Sequence, residues 1–204
     1  FADALGVPPS DPLQWNIPVS EEDAQWGEGQ AQALGKYVVI APAASKAERN
    51  WLPERYADIA NYINDKGMSV VLCGGPGKLD RETADAVLGH NAKIAQDFTG
   101  KTSLHQLLML LKHAEFVIAP DTGPAHMATT VDTPVVGLYA HSNPRRTGPY
   151  KSIHRVVSVY DDCILQQKGK PWTALPWGAR AKGNDLMEKI TLDAVIEQVD
   201  ELFT

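Results

Sequence analysis

Glu115-Phe116-Val117-Ile118-Ala119-Pro120-Asp121-Thr122-Gly123-Pro124-Ala125-His126 is a short apolar run that breaks directly into a helix start. The run from 115 to 119 lacks the polar-apolar alternation of a half-buried strand, so it predicts a strand covered on both faces. A short helix is expected over 121–131, with Pro124 suited to its first turn. The same unit recurs on either side. Residues 37–41 (YVVIA) end at Pro42 and lead to Tyr56, Ile59, Ala60 and Ile63, spaced as one helix face between Pro53 and Gly67. Residues 69–73 (SVVLC) precede a Gly74-Gly75-Pro76-Gly77 loop and a helix bearing Ala84, Val87 and Leu88. A brief strand at 93–95 leads to a Ser103-capped helix with Leu104, Leu107, Leu108 and Leu111, and further strands are expected at 134–139 (PVVGLY) and 154–159. Strands alternating with helices at this pitch mean right-handed crossovers and a parallel sheet, so the fold class is α/β, a doubly wound parallel sheet.

The flanks read differently. Residues 1–36, with Pro8, Pro9, Pro12 and Pro18 and scattered Trp15 and Trp26, show no sustained period and are expected to be a connector or an outlying flap. Residues 37–189 form the domain, although 160–189 look irregular and polar. A helix from Thr191 closes the chain over 190–204, with Leu192, Val195, Ile196, Val199, Leu202 and Phe203 on its apolar face.

Hydrophobic residues make up 44% of the 204, enough for a core, and no segment nears the roughly 20 apolar residues of a membrane span. With 19 basic against 25 acidic residues the net charge is −6, which argues against nucleic acid as a partner. Cys73 and Cys163 stand far apart at no metal or redox spacing, so free thiols in a reducing cytoplasm are expected. The sequence opens on Phe1 without a basic and apolar leader, from which no secretory signal and a piece of a longer protein are expected.

Ligands of an open parallel sheet bind beyond the carboxyl ends of its strands, here the loops 42–50, 73–80, 96–103, 120–126 and 139–150. The segment from Asp121 to His126 is the sharpest. Gly123 lets a ligand approach the backbone, and free amides at the helix start suit a phosphate. Asp121 can accept from hydroxyls, with Thr122 and His126 beside it; the competing structural reading is that Asp121 or Thr122 caps the helix and His126 is a satisfied core histidine. After the first strand, Ala44 and its small neighbours allow close approach, Ser45 offers a hydroxyl, and Lys46 or Arg49 can neutralise a pyrophosphate, against the alternative of a solvated charged loop. The glycine loop has neither dinucleotide nor P-loop spacing, so a nicotinamide site and a P-loop are both poorly supported. Asp80 or Glu82 can take a ribose or stand as solvated first-turn acids. Arg145 and Arg146 read as a charged surface turn, the histidines show no metal-binding pairing, and no serine nucleophile elbow occurs, so neither a metal nor covalent serine catalysis is expected. Trp172 and Trp177 either pack under their loop or form an exposed partner surface.

In order and spacing, AASKAERNWLP (43–53), VVLCGGP (70–76), DFTGKTSL (97–104), FVIAPDTGPAHMA (116–128) and PVVGLY (134–139) resemble the nucleotide-sugar domain of glycosyltransferase family 9, the ADP-heptose lipopolysaccharide heptosyltransferases. The resemblance covers about residues 37–150. It implies the Rossmann-like C-terminal half of a GT-B enzyme, with an amino-terminal acceptor domain and its catalytic base outside this chain, and the last helix returning toward that half. It further implies that Asp121, Thr122, Gly123 and His126, with Ala44, Ser45 and Lys46 or Arg49, hold the donor's sugar and diphosphate. Aligned on Trp51, the family's usual lysine falls on Arg49. By the same analogy Gly74, Asp80 or Glu82, Thr102 and Leu104 hold ribose and adenine. The implied partners are ADP-heptose and, through the other domain, the lipopolysaccharide core; no cofactor or metal is implied, and the setting is cytoplasmic, with peripheral membrane association only in the full-length enzyme. A GT-B transferase using another nucleotide sugar, and a non-catalytic nucleotide-binding module, are the rival readings.

Overall fold

The computed structural model describes Gly6 and residues 14–203; Pro8, Pro9 and Pro12 lie outside the described residues. Six strands form one parallel sheet: β1 (Tyr37–Ile40), β2 (Ser69–Leu72), β3 (Gln96–Asp97), β4 (Val117–Pro120), β5 (Val135–Tyr139) and β6 (Val156–Ser158), in the order β3-β2-β1-β4-β5-β6. The helices between them are α2 (Pro53–Asp65), α3 (Lys78–Gly89), α4 (Leu104–Lys112), α5 (Gly123–Thr130) and the single turn α6 (Pro144–Thr147). α1 (Glu21–Leu34) precedes the sheet, and α7 (Tyr160–Lys168) and α8 (Leu192–Asp200) follow it.

The strands divide their side chains between two cores because successive residues point to opposite faces. Val38, Ile40, Val70, Leu72, Ile118, Val136 and Leu138 meet Tyr56, Ile59 and Ile63 of α2, Ala84 and Val87 of α3, and Val195 and Val199 of α8. Tyr37, Val39, Val71, Val117, Ala119 and Val135 meet Leu107, Leu110 and Leu111 of α4 and Ala125 and Ala128 of α5. Each fully buried aliphatic side chain contributes about 1.5–3 kcal/mol. This two-sided burial is why the strands read as unbroken apolar runs.

Three expectations are corrected. The segment 1–36, read as lacking regular structure, contains α1, started by Ser20 accepting from the Asp23 amide. α1 lies so close to α4 that a Cβ on Gly27 would stand 2.6 Å from Met109 Cβ, while Trp26 meets Phe98 edge-on. Its contact stripe is Trp26, Gly27, Ala31 and Leu34, too sparse in large apolar side chains to carry a sustained period. The strand expected at 93–95 pairs instead at Gln96 and Asp97, since the backbone joins β2 only at Ala95, whose amide donates to the Val70 carbonyl. An edge strand tolerates those polar side chains. The segment 160–189 is not all irregular: α7 buries Tyr160, Cys163 and Ile164 and ends at Gly169 in the left-handed region, φ 62°.

α8 uses the apolar face expected of it, and that face is seated on this domain's own core rather than left free for another. Phe203 meets Phe116 edge-on, and just before α8 the Ile190 carbonyl accepts from the Trp51 indole and from Arg55. Both cysteines are free and buried, and burial pushes the Cys73 thiol up to about 12. Among the described residues, no helix is long and apolar enough to cross a membrane.

Candidate functional site

β1 and β4 are neighbours in the sheet, yet the helices that follow them pack on opposite faces, α2 with one core and α5 with the other. The chain therefore parts at their carboxyl ends and leaves a crevice there. The Thr122 hydroxyl bridges the two walls, donating to the Ala43 carbonyl at 3.2 Å. Thr122 occupies the N-cap position of α5 without any side-chain cap bond, so neither it nor Asp121 spends itself as a cap. An ideal Cβ on Gly123 would meet nothing within 4 Å. The protein itself does not require glycine there, and the space before the helix amides is open.

Asp121 stands at the end of β4 with its side chain only 14% exposed. Arg49 Nη1 lies 3.7 Å from one carboxylate oxygen, His126 Nε2 3.8 Å from the other, and the Thr147 hydroxyl donates at 3.4 Å. Burial is the largest influence on this carboxyl and raises its pKa. The approach of the His126 ring and the Ser142 hydroxyl, with the charges of Arg49 and His126, outweighs burial and holds the carboxyl below its ordinary value. Asp121 is thus an anion at neutral pH, fixed and acceptor-rich. His126 is 49% exposed, which removes the reading of a satisfied core histidine.

Behind this pair, Arg49, Asp121, Tyr139, His141, Ser142 and Met187 line a cavity of about 10 Å³, the size of one water. His141 Nε2 is 2.8 Å from the Gly183 carbonyl, which only accepts, so that nitrogen carries a proton. In the neutral ring Nδ1 is then a bare acceptor. Among the described residues it is buried without a hydrogen-bond partner, as is Arg49 Nε. The Tyr139 hydroxyl donates to the Thr147 carbonyl, and burial, followed by the charge of Asp121, raises its pKa so that it stays protonated.

The loop 44–50 sorts its candidates. Arg49 is 13% exposed and faces Asp121, whereas Ser45 and Lys46 are exposed and Lys46 has no ion pair among the described residues. The Ala44 amide is already used, donating to Asn50 Oδ1 at 2.7 Å. Asn50 in turn donates to Thr83 Oγ1, which ties the loop to α3. Asp80 folds back on the glycine loop, accepting from the Gly75 amide at 2.8 Å, and lies 3.1 Å from the Cβ position of Gly74. Glu82 is exposed and pairs with Lys78. Thr102 is half-buried, and Leu104, 74% exposed, shares an apolar groove with His126, Leu108 and Met127.

The structure therefore brings Asp121, Arg49, His126, Thr122 and Gly123 together, and holds Lys46, Asp80, Glu82 and Thr102 outside their immediate contact. Arg145 is turned away into a bidentate pair with Asp161, as a surface turn would have it. Sequence reasoning missed Asn50, Tyr139, His141, Ser142 and Thr147. The loop 139–150 was a candidate by position, but its cations drew attention and its neutral hydrogen-bonding groups did not.

The model of glycosyltransferase family 9 (heptosyltransferase) matches residues 1–177. Lipopolysaccharide core heptosyltransferase OpsX of Haemophilus influenzae is 39% identical over 202 residues, which is 99% of this chain and 58% of that protein. Lipopolysaccharide heptosyltransferase 3 of Escherichia coli K12 is 33% identical over 114 residues, 54% of this chain and 33% of that protein. The chain thus spans little more than half the length of the first of these relatives. Among solved structures, a family 9 glycosyltransferase from Veillonella parvula superposes with TM-score 0.75 at 23% identity, covering 98% of this chain and 56% of that one. E. coli heptosyltransferase WaaC with ADP superposes with TM-score 0.66 at 20% identity, covering 98% and 53%. At these identities the superpositions speak for the fold.

Proposed function

This chain belongs to glycosyltransferase family 9, and from that premise we propose that it is the donor-binding part of an inverting heptosyltransferase that transfers heptose from ADP-heptose to the lipopolysaccharide inner core. The observation that carries the reading is the half-buried Asp121 carboxylate between Arg49 and His126 at the uncapped start of α5. Its geometry suits both ends of a sugar diphosphate. The α5 amides and Arg49 offset the negative charge that develops on the departing ADP, and the fixed Asp121 carboxylate accepts from sugar hydroxyls. Such preorganised groups stabilise the leaving group without reorganising. Arg49, being turned inward, takes the diphosphate in place of Lys46. Asp80 takes the ribose rather than Glu82, which is spent on Lys78, and Leu104 lends an apolar surface to the adenine side.

Deprotonating the acceptor hydroxyl needs a base, and that role falls to the acceptor-binding portion of the full-length enzyme. No metal enters this scheme, because cationic and amide groups supply the positive field. The enzyme works in the cytoplasm, where its donor is held.

Calorimetric titration with ADP, ADP-heptose, UDP and NAD tests the proposal. Selective binding of ADP, tighter with the heptose and weakened about tenfold or more by Asp121→Ala for the sugar donor alone, is the expected result. Preference for UDP or NAD, or loss of the ADP and ADP-heptose affinities to the same extent in Asp121→Ala, overturns it.

A further inference from the structure

Arg49, Asp121, His141 and Ser142 converge on the cavity of about 10 Å³ behind the crevice. His141 and Ser142 are only 5% and 4% exposed. Among the described residues, His141 Nδ1, Ser142 Oγ and Arg49 Nε are all buried without a hydrogen-bond partner. Buried polar atoms in a native protein are normally met, so three of them around one small space point to a shared partner. The four groups also state its chemistry. Arg49 Nε donates and the Ser142 hydroxyl can donate, whereas the bare His141 Nδ1 and the Asp121 carboxylate accept. Two donors and two acceptors around a space of this size are the complement of one water molecule, which accepts twice and donates twice.

The His141 ring is held from its other side. Its Nε2 donates to the Gly183 carbonyl at 2.8 Å, and its own carbonyl accepts from the Ala181 amide at 3.0 Å. Gly183 has φ 146°, a conformation that side chains disfavour, and a Cβ there would stand 3.0 Å from Asp185 Oδ1 and 3.3 Å from the Leu186 side chain. The acceptor carbonyl is therefore fixed by a backbone that needs glycine. With it is fixed the tautomer that leaves Nδ1 free to accept.

We propose that His141 is a positioning residue of the donor site, acting through one bound water that accepts from Arg49 Nε and Ser142 Oγ and donates to His141 Nδ1 and the Asp121 carboxylate. The proposal rests on the donor-binding reading of Arg49 and Asp121. A guanidinium held at Nε keeps its plane, so its Nη groups meet a phosphate without reorganising. The same water gives Asp121 a further donor and fixes the carboxylate that receives sugar hydroxyls. One molecule thus couples the two charged groups of the site, and Gly183 sets the ring that orients it. A histidine kept only to hold the segment 181–183 would account for the Gly183 bond and leave Nδ1, Nε and Oγ unmet.

Three variants of the whole chain, His141→Ala, His141→Asn and His141→Gln, separate the two roles. Asparagine places an acceptor where Nδ1 stands and loses the bond to Gly183, whereas glutamine places a donor where Nε2 stands and loses the acceptor toward the water. His141→Ala should weaken ADP binding by about tenfold in calorimetric titration. His141→Asn should recover most of that loss and His141→Gln little of it, although His141→Gln melts at the higher temperature. ADP affinities that follow the melting order instead would overturn the proposal. A second readout needs no ligand. In nitrogen–proton correlation spectra of the ligand-free parent, the Arg49 Nε–H should be slow to exchange and show a cross-peak to a long-lived water, kept in His141→Asn and lost in His141→Gln. A parent without that cross-peak, or its survival in His141→Gln, would also overturn the proposal. Should the parent not bind ADP at all, the donor-binding reading fails by itself, and the Arg49 signal alone decides whether His141 holds the water.

Discussion

Gly123→Ala separates a site from a scaffold, because stability and binding should move in opposite directions. Gly123 is the first residue of α5, has no positive φ, and faces open space where a Cβ would stand. Alanine there removes unfolded-state freedom and improves helix propensity, a gain of about 0.5 kcal/mol. The same methyl would occupy the place where a diphosphate oxygen approaches the α5 amides. Losing one charge-assisted hydrogen bond costs about 1.5–3 kcal/mol, or about tenfold to a hundredfold in Kd. Thermal melting of the ligand-free chain should therefore rise slightly while calorimetric affinity for ADP falls by that factor. Unchanged ADP affinity in a variant that melts at or above the parent temperature would refute the assignment of this helix start to the phosphates.

Arg49→Ala should weaken ADP binding about tenfold or more in the same titration, whereas Lys46→Ala should change it less than twofold, since only Arg49 points inward. The Asp121 carboxyl is held below its ordinary pKa in the folded protein, so its contribution is complete above about pH 4 and is lost as pH falls through the folded value. Asp121→Asn should consequently be less stable than the parent by about 1–3 kcal/mol at pH 7 and show a shallower acid limb in denaturant titrations. Asp97, whose carboxyl is also lowered, keeps that limb from vanishing. Gly148→Ala is the structural counterpart of Gly123→Ala. Its Cβ would clash with the Pro144 carbonyl oxygen and fall 2.7 Å from Ile153 Cδ1, so a melting temperature lowered by several degrees is expected.

The central elements were legible because two-sided burial writes itself as apolar runs such as 69–73 and 134–139, each followed by helical spacing. α1 was not, because close approach through Gly27 replaces the apolar side chains that a period needs. β3 was displaced by a few residues because an edge strand imposes little on side chains, and Gln96 and Asp97 look like loop. In the site, Asp121 and Gly123 announced themselves by their place between a buried strand and a helix. The preference for Arg49 over Lys46 could not be read, since both are cations three residues apart and only the turn at Ala47–Arg49 decides which faces the crevice. His141 and Ser142 were hidden for a different reason. Their importance lies in being buried beside Asp121 and in the reach of His141 to Gly183, 42 residues on, which no local pattern encodes.

The Ile190 carbonyl, shared by the Trp51 indole and the Arg55 guanidinium, sets how short this domain can be made. Trp51 closes the loop that carries Arg49, so a cut before residue 190 would strip the fully buried indole of its acceptor and uncover the α2 face that Val195 and Val199 seal. Trimming from the carboxyl end would thus be felt first in the crevice loop. Residues 190–203 are a wall of the crevice at one remove.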